Sequence, residues 1–286
     1  VTPYIVLDMT DGAYYADPCE VPSLSQSTAQ TILDRSPAHA HLQHPRLGGK
    51  SRKRTRAMGM GAACHSILLG KGAEIRTIDA DNYQKKAAQV ERDEALGRGE
   101  IPLLLREYDE ARECSEVVRD KLRRRGISLD GAPEASIFWE ELTADGPIQC
   151  RGRMDLLRIG PHDAVIIDLK KASDAHPREL GKHMVEYGYD IQAVAYSRAV
   201  EACHPELAGR IRFINVFFEA EPPYPVTVAE PSGTMRELGE MRWERAGLIW
   251  SRCLRSGHWP DYSEEIERID PPQWRVAREE FDHANV

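Results

Sequence analysis

The chain has 286 residues, a net charge of −8, and a composition that is 41% hydrophobic and 29% charged. That is the balance of a soluble globular protein with length enough for a sizeable core. No window approaches the run of about 20 apolar residues that spans a bilayer, the opening "VTPYIVLDMTDGAYY" lacks the pattern of a signal peptide, and so no membrane association and a cytoplasmic location are expected.

The six cysteines, at 19, 64, 114, 150, 203 and 253, include no CxxC pair. That spacing argues against a zinc ribbon, an iron–sulfur cluster or a secreted disulfide framework. The acidic total does not decide what a cleft binds, because local fields act over roughly 8–10 Å at physiological salt. The charge is uneven: "RLGGKSRKRTR" (46–56) is basic and free of acids.

In chain order, "SLSQSTAQTILDRSPAHAHLQHP" reads as two short helices. Ser25 or Ser27 caps the first, and Ser36 with Pro37 starts the second. The basic stretch 46–56 follows as a loop, and "MGMGAACHSILLG" (58–70) as a helix closed by Gly70. Residues 83–98 and 103–126 are charged and helix-prone. "EASIFWEEL" and "IQCRGRMDLLRI" form a strand pair across the turn "TADGP", and "AVIIDLKKA" is the next strand. A helix broken at Gly188, the strands "RIRFINVFFEA" and "YPVTVAE", and a long helix over 231–255 come next. The remainder, rich in proline and acids, is expected to be irregular. This order predicts an α/β fold, a central mixed sheet flanked by helices with a helical N-terminal region. One domain is expected over 1–286: N-terminal helices and basic loop (1–57), core (58–257) and irregular tail (258–286).

The stretch "VIIDLKKAS" (165–173) drives an apolar run into Asp168 and Lys170. With period-2 alternation, Ile166, Asp168 and Lys170 share one face and Val165, Ile167 and Leu169 the other. In the preceding strand Gln149, Arg151, Arg153 and Asp155 share a face, opposite Cys150, Met154 and Leu156. If the two strands are neighbours, Asp155 and Asp168 converge at one end of the sheet with Lys170 beside them. Paired carboxylates repel unless a cation sits between them, and oxygen ligation with open positions suits Mg²⁺ or Mn²⁺. Lys170 would then position or deprotonate an attacking water, or stabilise charge on a phosphate. The plainer alternative is a surface ion pair at strand ends.

Asp155 followed by Asp168-Leu169-Lys170 resembles the D…(D/E)xK pattern of the PD-(D/E)xK nucleases. Further elements resemble their RecB-like branch: Gln192 and Tyr196 in "YGYDIQAVAYSRAV", His65 in "MGMGAACHSILLG", and the N-terminal "LSQSTAQTILDRSPAHA". The run through "PEASIFWEE", "CRGRMDLL", "IIDLKKASDA", "GYDIQAVAYS" and "GHWPDYSEEI" is similar to the nuclease domain of RecE-type exonucleases (exonuclease VIII), encoded by phages and prophages. The resemblance implies a RecB-like α/β core with His65, Asp155, Asp168 and the Leu169 carbonyl at a divalent metal, and Lys170 as the catalytic lysine with Asp155 and Asp168. Gln192 and Tyr196 would face DNA or brace the site. It further implies 5′→3′ degradation of linear duplex DNA from its ends, to leave 3′ single strands for recombination in a bacterial or phage-infected host. A single-strand annealing partner and a ring-shaped homo-oligomer belong to the same implication. Lys171 departs from the pattern, since relatives commonly carry a small hydroxyl residue there.

Other residues are open to two readings. Arg151 and Arg153 could meet phosphate or pair across strands with Glu140 or Glu141. Arg52, Lys53 and Arg54 of the basic loop are candidate phosphate contacts or a solvated segment. His65 alone would read as a core histidine, and the histidines of "PAHAHLQHP" as surface residues rather than zinc ligands. Glu134 and Glu140 are both candidates for an extra acid near the metal. Two further functions compete with the exonuclease: an endonuclease on the same core, and a DNA-end-binding recombination or assembly factor with an idle site.

Overall fold

The computed structural model describes residues 2–49, 57–263 and 265–285. In chain order the elements are β1 (Tyr4–Val6), α1 (Asp11–Tyr15), α2 (Gln26–Asp34), α3 (Pro37–Gln43), α4 (Ala57–Leu69), β2 (Ile75–Ile78), α5 (Lys86–Gly97), β3 (Ile101–Leu104) and α6 (Leu105–Arg124). They continue with β4 (Ala132–Thr143), β5 (Gly146–Ile159), β6 (Ala164–Lys171), α7 (Pro177–Glu186), α8 (Tyr189–Cys203), β7 (Ile211–Phe218), β8 (Val226–Ala229), α9 (Gly233–Ser256) and α10 (Gln273–Ala284).

The main sheet runs β1-β4-β5-β6-β7-β8. Its neighbours are antiparallel except β6 and β7, which run parallel. A parallel pair needs a long crossover, and α7 with α8 supplies it. The central strands read AVIIDLKK and IRFINVFF, near-continuous apolar runs of the kind a strand covered on both faces requires. On one side Met154, Ile166 and Phe213 pack with α8 and with Trp243 and Trp250 of α9. On the other, Leu156, Val165, Ile167 and Ile214 meet Cys64 and Leu68 of α4 and Cys114 and Val118 of α6. The mixed α/β architecture expected from the sequence is therefore the one observed.

The predicted punctuation is also in place. The Ser25 side chain accepts from the Thr28 N–H at the start of α2, and Ser36 does the same for His39 ahead of Pro37. Gly70 ends α4 and Gly188 separates α7 from α8, with φ of +64° and +67°, values that glycine reaches without a Cβ penalty.

Two features differ from expectation. The tail is not wholly irregular, because α10 forms within it immediately after Pro272, a residue that cannot interrupt a helix it precedes. Its exposed side carries the ion pair Arg275–Glu279 and the spacing of a second, Arg278–Asp282, and it buries none of its residues. The short elements β1, α1, β2 and β3 were not expected; β2 and β3 pair with each other in a separate two-stranded sheet. Among the described residues no helix is long and apolar enough to cross a membrane.

Candidate active site

Alternation along β5 slips at one place. Cys150 and Met154 face α8, but Leu156, expected beside them, points to the α4 and α6 side, and Leu157 returns to the α8 side. The cause lies at Glu134 and Asp155. Ala135 pairs with Met154 and Pro133 with Leu156, while the residues between them do not pair, and Glu134 holds a φ of +53°, which is uncommon for a residue with a side chain. On the other flank the β5–β6 ladder ends at Leu156 and Ile167. Beyond it the strands part, and the Asp155 carboxylate accepts the Leu169 N–H at 2.7 Å, a donor the ladder no longer satisfies.

The candidate residues gather in this opening. On the α8 side, Lys170 Nζ lies 2.7 Å from Asp168 Oδ2 and 4.5 Å from the centre of the Tyr189 ring. Gln192 donates to Asp168 Oδ1 at 2.7 Å. From the α4 side, His65 brings Nε2 to 3.1 Å from Asp155 Oδ2 and Nδ1 to 3.4 Å from Glu134 Oε1. Asp168 is 1% exposed, whereas His65, Glu134, Asp155 and Leu169 line a cleft of ≈ 440 Å³.

Electrostatics follow from that crowding. Burial, with the Asp155 charge nearby, pushes the Asp168 carboxyl up to about 6 despite the Lys170 ammonium. Burial likewise lifts Glu134 above the usual carboxylate range. Burial also works against charge on Asp155, His65 and Lys170, but their partners outweigh it. His65 and Lys170 hold Asp155 below its ordinary value. Asp155 and then Glu134 raise His65 to about 9. Asp168 and then Asp155 keep the Lys170 ammonium well above the ordinary lysine range.

The other predicted residues divide. Gln192 is committed to Asp168, the bracing option. Tyr196 lines the cleft and packs so tightly that a Cβ on Gly152 would come within 2.7 Å of its ring. For Arg151 and Arg153 the acids in reach are Asp17 and Asp11, with Glu134 3.9 Å from Arg153. Arg151, 5% exposed, pairs with Asp17 at 3.0 Å and donates to Ser23 Oγ at 2.5 Å. Arg153, 9% exposed, pairs with Asp11 at 2.7 Å and donates to Ser136 Oγ and to the carbonyls of Met9 and Thr10. The expectation missed Asp17, Ser23 and Asp11 because they come from the N-terminal segment, remote in sequence. Arg52, Lys53 and Arg54 lie outside the described residues. Glu134, not the exposed Glu140, is the acid beside His65. Tyr189, Asp11 and Asn215 were not anticipated. Asn215 neighbours Asp168 in β7 and is fully buried, with both amide atoms unpartnered.

Three carboxylates face one imidazole and one ammonium here, and the Arg153 guanidinium 3.9 Å from Glu134 is already paired with Asp11, so the opening carries surplus negative charge. Carboxylates with one imidazole form a donor set open to a divalent cation, and burial works against the charge of Asp168 and Glu134. Among the described residues no three such side chains are already disposed around a common point to hold an ion, since His65 bonds to both acids instead. The set fits a divalent cation in charge and chemistry.

A mixed sheet whose central strands β5 and β6 part at an acid and a D-x-K strand end has the form of the PD-(D/E)xK type. The family described as "PDDEXK-like domain of unknown function (DUF3799)" matches residues 25–272, and the chain belongs to it. The crystal structure of a "Putative exonuclease" from Eubacterium rectale superposes with a TM-score of 0.63 at 12% identity, over 94% of this chain and 98% of that one. At that identity the likeness concerns the fold. The crystal structure of SSO0001 is more distant, with a TM-score of 0.28 and 15% identity over 63% of this chain and 82% of that one. No curated protein matches the sequence.

Proposed function

We propose that the chain is a divalent-metal-dependent exonuclease acting on the ends of linear double-stranded DNA. The observation that carries the reading is the Lys170–Asp168 ion pair of 2.7 Å on either side of Leu169, whose N–H bonds to Asp155 beside His65 at the cleft, in a PDDEXK-like fold. Asp155, Asp168, His65 and the Leu169 carbonyl, with Glu134, would hold Mg²⁺ or Mn²⁺. When bound, such a cation polarises a phosphoryl oxygen and makes water a stronger nucleophile at neutral pH.

The chain's own groups do the rest. Lys170, kept protonated by Asp168 and Asp155, acts as a fixed cation against the charge that grows on the phosphate, rather than as a base. Gln192 locks one oxygen of Asp168, and the Tyr189 ring holds the Lys170 ammonium from the other side. In the net reaction the oxygen of water bonds to phosphorus and a P–O ester bond breaks. The 5′→3′ direction, a role in recombination, an annealing partner and assembly into a ring rest on the RecE resemblance alone.

The test is a Mg²⁺ time course on linear duplex labelled at the 5′ or the 3′ end, beside a covalently closed circle. Early release of the 5′ label with an intact circle is expected. A cut circle would replace the exonuclease with an endonuclease. Salt-sensitive binding to ends without any product would replace it with an end-binding factor.

A further inference from the structure

The cations lining the cleft are not equivalent. Among the described residues, four there carry positive charge or can acquire it: His65, Arg151, Arg153 and Lys171. Arg151 is neutralised by Asp17 and Arg153 by Asp11, and His65 lies between Asp155 and Glu134. Lys171 pairs with no carboxylate among the described residues, and it is exposed. Its position follows from strand geometry. Consecutive residues of a strand point to opposite faces, so "LKK" sends Lys170 to the α8 side, onto Asp168 and Tyr189, and Lys171 to the α4 side. Gly61 of α4 makes room for it: a Cβ there would stand 3.3 Å from Lys171 Cδ. Thus one strand end supplies a cation already committed to an acid and a second that is uncommitted, on opposite faces of the sheet. Among the described residues that line the cleft, Lys171 is thus the cation without a carboxylate partner, and an unpaired ammonium is the natural partner of a phosphate.

We infer that Lys171 binds a backbone phosphate of the substrate strand next to the scissile one, a role that rests on the nuclease reading above. It is a binding residue for the strand, distinct in task from Lys170.

The experiment compares the wild-type chain with Lys171→Ala and Lys171→Arg on a short linear duplex in Mg²⁺, and repeats it with duplexes carrying one neutral methylphosphonate at successive positions. Lys171→Ala is expected to raise KM about tenfold with kcat within about threefold. The slope of log affinity against log salt should fall by about one contact, and Lys171→Arg should restore most of both. One methylphosphonate position adjacent to the cleaved bond should weaken wild-type binding by a similar factor and leave Lys171→Ala unaffected. If Lys171→Ala matches wild type in KM and salt slope, or if the losses from substitution and from neutral linkage multiply at every position, the inference is overturned while the nuclease reading stands. If wild type neither binds nor cleaves DNA, the nuclease reading falls and the inference with it.

Discussion

Two clusters of buried charge sit within the same fold and are built to different ends. In the N-terminal clasp, the single carboxylate of Asp17 accepts from Ser23 through both N–H (2.9 Å) and Oγ (2.8 Å), pairs with Arg151 at 3.0 Å and meets His44 at 3.3 Å. Although burial opposes its charge, His44, Arg151 and Ser23 hold the Asp17 carboxyl far below the usual range. At the opening between β5 and β6, Glu134, Asp155 and Asp168 share His65 and Lys170, and burial leaves Asp168 at about 6. A satisfied buried charge holds the chain together, whereas a surplus of buried acid marks a place prepared for something else.

Substitutions should separate the two. Asp168→Asn, which removes charge and keeps shape, is expected to lower DNA cleavage by about 10³-fold while moving the urea midpoint less than any clasp substitution. Equal loss of stability at both sites would erase the distinction. Asp17→Ala strands Arg151 in the interior and should cost about 3–5 kcal/mol, read from urea unfolding, with cleavage falling only as the folded fraction falls. The sign with pH is fixed. A carboxyl depressed in the fold contributes fully above its unfolded value near 4 and loses that contribution as pH falls through the folded value. Wild-type stability should therefore drop steeply below about pH 4, and Asp17→Asn should flatten the drop.

The cleft should respond to the opposite end of the scale. With His65 raised to about 9, a metal must displace its proton at neutral pH, so Mn²⁺ affinity should rise about tenfold per pH unit from 7 to 9. Titration calorimetry of wild type and His65→Gln checks this: a flat wild-type profile would remove His65 from the ligand set. The smallest effect belongs to α10. It buries none of its residues and leaves Trp274 and Phe281 68% and 69% exposed, so ending the chain at residue 271 should change the unfolding free energy by less than about 0.5 kcal/mol.

What was legible in the sequence was local. Alternation along "AVIIDLKKA" places Asp168 and Lys170 on one face, and serine caps and glycine stops mark the helices, because those signals lie within a few residues of their effects. Other features were set by distant chain. Asp11, which pairs with Arg153 at 2.7 Å, lies more than a hundred residues upstream, and nothing in "CRGRMDLL" names it; two buried arginines on one strand do require acids from somewhere, which was the available clue. Glu134 could not be told from Glu140 because the choice depends on the left-handed backbone at Glu134 and the paired ladder break at Asp155. The slip of Leu156 has the same origin. The α10 helix was hidden by the prolines before it, although the spacing of Arg275 with Glu279 and Arg278 with Asp282 was visible.

The central claim is that this cleft hydrolyses DNA with a divalent metal and Lys170. The most direct measurement is product formation from linear duplex DNA by the wild-type chain in Mg²⁺, in EDTA, and by Lys170→Ala in Mg²⁺, with circular dichroism confirming that each protein is folded. Nucleotide release in the first condition, abolished in the other two, is the predicted result. Undiminished release in EDTA or by folded Lys170→Ala, or intact DNA in all three, would contradict it.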